Sequence, residues 1–111
     1  MSKLIEIELD DGKKYKLGFP TRKDVKYAES KGLDITNAGK VVSFYDTLHY
    51  TALLANHPSI TEYESQKIME KYADEGGDLE EINKFLIEQY TNFTKSPANS
   101  TKKKAAKIIN F

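Results

Sequence analysis

The chain has 111 residues, of which 31% are charged, and its 17 basic and 17 acidic side chains cancel to zero net charge. That is the length of one domain, and the balance gives no overall pull towards nucleic acid or anionic lipid. Cysteine is absent, which excludes disulfides, thiolate zinc sites and cysteine nucleophiles.

The cancellation is uneven along the chain. Residues 1–95 hold 13 basic and 17 acidic side chains, a net of −4, whereas residues 96–111 hold four lysines and no acid, a net of +4. This divides the chain into a body, 1–96, and a basic tail, 97–111, of the kind appended for interaction. The opening MSKLIEIELD lacks the apolar run of a signal peptide. The longest purely apolar stretch, Ala52 to Ala55, falls far short of a membrane span. The chain therefore reads as soluble and intracellular, and sixteen lysines against one arginine point to a low-GC bacterial coding style.

A β-hairpin comes first. In LIEIELDDGKKYKLGF, Ile5, Ile7 and Leu9 alternate with acids, and Tyr15, Leu17 and Phe19 alternate with lysines. A two-residue Asp11-Gly12 turn would put the two apolar sets on opposite faces. A three-residue loop, Asp10-Asp11-Gly12, pairs Ile7 with Tyr15 and Ile5 with Leu17 on one face and sets Glu8 against Lys14 and Glu6 against Lys16 on the other. The second register is preferred, and since a lone hairpin is marginal in water its apolar face must rest on helices.

Four helices follow. Thr21 with Asp24 has the spacing of a capping box, opening a short helix that carries Val25 and Ala28 and stops at Gly32. A central helix is predicted from about residue 38 to Asn56, with Val41, Phe44, Tyr45, Leu48, Ala52 and Ala55 on one broad stripe. Val42, Leu53 and Leu54 widen that stripe, so the helix is expected to be covered on most sides. Thr61 with Glu64 caps a third helix bearing Ile68, Met69 and Tyr72. Asp78 with Glu81 opens the last, where Leu79, Ile82, Phe85, Leu86, Tyr90 and Phe93 recur at three- and four-residue intervals. The fold class is thus α+β: an N-terminal hairpin packed on a bundle of about four helices. The tail, STKKKAAKIINF, is expected to be mobile unless something holds it.

The inventory for catalysis is poor. His49 and His57 stand eight residues apart, without metal-binding spacing, and are read as packed or surface side chains. No glycine-rich phosphate loop or calcium loop is present in the sequence. Glu80, Glu81 and Glu88 read as solvated helix positions. The chain is expected to be no enzyme and to need no cofactor or metal. Surfaces are left as the carriers of function. Tyrosine is enriched at interfaces, and Tyr27, Tyr50 and Tyr63 are the candidates for exposed contact residues. In the tail, Lys102, Lys103, Lys104 and Lys107 supply charge, while Ile108, Ile109 and Phe111 supply apolar anchors for docking onto a partner.

The order of parts, from the hairpin through ESKGLDI, SFYDTLHYTALLAN, PSITEYESQKIMEKY and DEGGDLEEINKFLIEQY, resembles the tail assembly chaperones of long-tailed phages and prophages of Gram-positive bacteria. The resemblance covers about residues 3 to 100, and GGDLEEINKFLIEQY carries most of it; the terminal IINF departs from the pattern. It implies a protein that binds the tape measure protein, a long, helical, aggregation-prone client, until tail tube protein polymerises around it. It also implies residence in the cytoplasm of the infected or lysogenic host, absence from the mature virion, self-association into an array, and a longer form made by frameshifting. Two other readings compete: a small DNA-binding regulator of a mobile element, and a structural tail or connector protein. Against the first, residues 79–95 form an acidic helix, where a DNA reader needs a basic one.

Overall fold

The computed structural model describes residues 3–94. The boundary drawn at residue 96, and with it the whole basic tail, lies outside them.

The hairpin forms in the three-residue-loop register. Strand β1 (Ile5–Glu8) runs antiparallel to β2 (Lys14–Leu17) with Ile5 opposite Leu17, Glu6 opposite Lys16, Ile7 opposite Tyr15 and Glu8 opposite Lys14. Gly12 takes the left-handed conformation that the loop demands, φ 89°. Ile7 and Leu17 are buried and Ile5 and Tyr15 half-buried, whereas the charged residues of the opposite face are exposed. Opposite charges paired across that exposed face reinforce the register.

Helix α1 (Arg22–Ser30) starts from a complete capping box: the Asp24 N–H donates to Thr21 Oγ1, and the Thr21 N–H donates to the Asp24 carboxylate. Helix α3 (Glu62–Asp74) repeats the device with Thr61 and Glu64. Helix α4 (Leu79–Thr94) is capped by Asp78, whose Oδ1 accepts from the Glu81 N–H. Each cap supplies acceptors for N–H groups that the first helical turn leaves without partners.

Helix α2 (Val42–Leu54) is shorter than the predicted 38–56. Asp34 diverts the chain before it: its carboxylate accepts from the Thr36 N–H and hydroxyl, closing a 3-10 turn over Ile35–Asn37. A turn follows over residues 38–40, and the backbone is extended at Val41, which becomes the cap rather than part of the stripe. The expectation that Val41 and Val42 lie on the covered face is corrected accordingly: they are 44% and 78% exposed. The face that is covered runs through Phe44, Leu48, Thr51 and Ala52, with Leu53 beside it.

One core joins the layers. Leu17 and Phe19 from the hairpin, Val25 and Ala28 from α1, Phe44, Leu48, Ala52 and Leu53 from α2, Met69 from α3, and Ile82, Leu86 and Tyr90 from α4 are all buried in a single cluster. Burying a leucine or phenylalanine this fully contributes about 1.5–3 kcal/mol. Phe19→Ala is therefore expected to lower unfolding free energy in urea by about 3–5 kcal/mol. Val42→Ser on the exposed flank of α2 is expected to stay within about 0.5 kcal/mol of the parent.

Candidate interaction surface

The exposure of Val42 has a structural consequence. Val42, Tyr45 and His49 follow one another at three- and four-residue spacing along α2, on a flank separate from the Phe44–Leu48–Ala52 stripe. Helix α3 faces this flank with Ser65, Met69 and Ala73, and Leu79 at the start of α4 closes the end. Between them lies an open groove of about 550 Å³. Its floor is apolar, from Tyr45, Met69 and Leu79, and its rim carries Asp46, Glu70 and Asp74 with no lysine or arginine. Asp46 and Asp74 have no lysine or arginine within 4 Å among the described residues, and Glu70 reaches Lys67 only at 3.9 Å on the open surface.

His49 sits at the base of the groove, 7% exposed, with Nε2 2.6 Å from Asn83 Oδ1. With that oxygen as acceptor, Nε2 carries a proton, which both the neutral and the charged ring can supply. Burial holds the imidazole below its ordinary pKa; the Asn83 hydrogen bond and the Asp46 charge pull the other way without prevailing. The second histidine has the opposite polarity, since His57 Nε2 accepts from the Lys16 N–H at 2.9 Å and ties β2 to the loop after α2. In both rings Nε2 is committed to a structural joint rather than open to a metal or a substrate. Among the described residues no three His, Cys, Asp or Glu side chains gather in a metal-binding group.

The tyrosines predicted as contact residues do not form one patch. Tyr27, 42% exposed on α1, stands beside Tyr50 of α2, whose hydroxyl is raised in pKa by burial first and then by Tyr27 and Glu62. Tyr50 is half-buried and lines a cleft together with Lys31 after α1 and Glu62 and Gln66 of α3. Tyr63 on α3 is the most open, 68% exposed, with the Lys67 ammonium 5.4 Å from its ring centre. Lys102, Lys103, Lys104, Lys107, Ile108, Ile109 and Phe111 lie outside the described residues.

A second groove, of about 520 Å³, opens between the hairpin exit and α4, where Phe19, Pro20, Phe85 and Phe93 are edged by Lys3 and Glu88. The residues that sequence reasoning missed are those of the first groove. Their signal was the recurrence of Val42, Tyr45 and His49 as a second stripe on α2, which cannot be told from core by periodicity alone. Among the described residues no helix is long and apolar enough to cross a membrane.

The neutral, buried His49 makes stability depend on pH. An unfolded chain takes up a proton at the ordinary histidine pKa while the folded one resists it, so the unfolded state binds more protons and stability falls as pH falls. Melting temperature is expected to drop between about pH 7 and pH 5, and His49→Gln to flatten that slope. Asp11 and Asp34, whose carboxyls are held below the usual range by hydrogen bonds at Lys13 and Thr36 respectively, lose their contributions only at more acidic pH.

Compared with known proteins, the chain matches no curated protein and no solved structure. Residues 1–110 match the family described as a domain of unknown function, DUF5055. With the match spanning nearly the whole of this hairpin-and-helices domain, the chain belongs to the DUF5055 family.

Proposed function

We propose that the protein is a tail assembly chaperone of a phage or prophage, acting in the host cytoplasm without bond-making or bond-breaking chemistry. On this reading it shields the tape measure protein until tail tube subunits displace it. One observation supports it most: an apolar groove between α2 and α3 that the fold leaves open, with Val42 78% exposed at its edge. A groove of this kind takes one stripe of an amphipathic helix, read through residues at i, i+3 or i+4, and i+7. A long helical client offers such stripes repeatedly, and its uncovered apolar surface would otherwise associate non-specifically.

Strength per site must be low for this role. A groove of about 550 Å³ accommodates only a few side chains, so each copy covers a short stretch and leaves readily. Many copies on one client hold collectively what each holds weakly. Displacement by a polymerising tube then requires only that the tube bind the same stripes more tightly. The same flank argues against a DNA reader, since its rim is acidic, and the first turn of α4 adds Glu80 and Glu81.

Co-expression with the tape measure protein of a long-tailed phage or prophage of Gram-positive bacteria is expected to raise that protein's soluble yield and to give a complex on a sizing column. Val42→Glu is expected to abolish the complex while leaving the melting temperature of the free protein unchanged. Failure of the parent chain to raise solubility or to form a complex would overturn the reading.

A further inference from the structure

We infer that the α2–α3 groove is the seat for helix α1 of a second copy of this chain, the two copies exchanging these contacts about a two-fold axis. Helix α1 turns Val25 and Ala28 into the core. At about 3.6 residues per turn, Lys23, Lys26, Tyr27 and Ser30 then fall on the opposite side, and all four are exposed. Arg22 and Lys31 flank them and are exposed as well. Both acids of α1 are already engaged inside the molecule: Asp24 closes the capping box, and Glu29 accepts from the Tyr90 hydroxyl. Among the described residues none of these lysines, nor Arg22, has a carboxylate within 4 Å. What α1 presents is therefore one aromatic ring set among uncompensated positive charge.

The groove presents the converse. Tyr45 and Met69 give it an apolar floor, and Asp46, Glu70 and Asp74 give it a rim of negative charge without lysine or arginine. Tyr27 suits the floor, since tyrosine is a frequent anchor of interfaces. Lys23 and Lys26, one helical turn apart beside it, suit the rim, where opposite charges fix orientation more than they add affinity. The groove on α4 fits α1 less well, because Lys3 and Glu88 edge it with opposite signs.

Placement on the molecule decides the symmetry. Lys31, which follows α1, and Asp46, on the groove rim, line one cleft around Tyr50. The basic face and the acidic groove thus lie side by side. Two copies that face each other across this cleft, related by a two-fold axis, set each α1 against the partner's groove. The second seat is then made at the effective concentration that the first creates. A head-to-tail chain of copies would have one seat per contact and would forgo this gain. The groove is covered by the dimer when no client fills it, and a helix that binds there more tightly opens the dimer.

This inference stands apart from the chaperone reading, because its test uses the chain alone. In sedimentation of the full chain at low salt over roughly 5 to 500 µM, mass is expected to rise from 12.6 kDa towards twice that value and no further. The dimer is expected to weaken at about 1 M salt, where the screening length falls to about 3 Å. Lys23→Glu with Lys26→Glu should raise the dissociation constant about ten-fold or more, and so should Glu70→Lys with Asp74→Lys. An equimolar mixture of these two variants should recover the dimer, because both seats then pair opposite charges again. Circular dichroism checks that each variant keeps its helices. Tyr27→Ala, which alters no charge, should also raise the dissociation constant about ten-fold. A parent chain that stays monomeric, mass that grows past the dimer, variants that dimerise as well as the parent, or a mixture that stays monomeric would each overturn the inference.

Discussion

The fold depends on the seam where the hairpin leaves β2 and crosses the helices. A two-stranded sheet has too little apolar area to stand in water, so it exists only where helices cover one face. At the seam the Gly18 N–H donates to the Ala52 carbonyl at 3.3 Å, and the Asn56 side-chain amide donates to the Gly18 carbonyl at 3.2 Å. Gln89 reaches in from α4: its Oε1 accepts from the Phe19 N–H at 2.6 Å, and its Nε2 donates to the Lys3 carbonyl at 2.7 Å. Buried backbone polar groups are costly unless paired, and these side chains do the pairing that a third strand would otherwise provide. The backbones approach so closely that a Cβ on Gly18 would lie 3.0 Å from the Lys3 carbonyl oxygen. Leu17 and Phe19, on either side, are thereby driven fully into the core.

From that seam the positions of the remaining helices follow. Helix α2 is joined to the hairpin exit near its C-terminal end, through Ala52 and Asn56. Helix α3 is fastened to the hairpin at its far end, where Glu75 accepts from the Asp10 N–H at 2.8 Å and Lys71 pairs with Asp11 at 3.2 Å. These contacts are exposed, and such ion pairs stabilise only slightly; their value is in setting where α3 lies. Across the other side of the bundle, the buried Tyr90 hydroxyl donates to Glu29 at 2.8 Å, and burial together with that carboxylate pushes its pKa up to about 12. The groove lies between α2 and α3, with Val42 of α2 and Met69 of α3 among its lining residues.

On the proposed reading, the open groove works as a binding surface. The imidazole at its base is already satisfied, His49 by Asn83. No described buried side-chain polar atom lacks a partner. A ligand therefore gains by covering apolar surface and by meeting the rim carboxylates rather than by rescuing a stranded donor. Contacts with the rim carboxylates are screened by salt, which suits the proposed role of a cover that also comes off.

The sequence by itself determined the elements that are governed by near neighbours. The strand register followed from alternation and loop length, the starts of α1, α3 and α4 from Thr21–Asp24, Thr61–Glu64 and Asp78–Glu81, and the buried face of α4 from Ile82, Leu86 and Tyr90 at helical spacing. Each depends on contacts within a few residues, which a linear pattern records. Only the tertiary structure decided the start of α2, the half-burial of Tyr50 and the exposure of Val42. Periodicity tells which residues share a face but not whether another helix comes to cover it. That was settled by the contacts between Gly18 and Asn56, Phe19 and Gln89, and Asp10 and Glu75, which join residues 38 to 70 positions apart and leave no trace in local spacing.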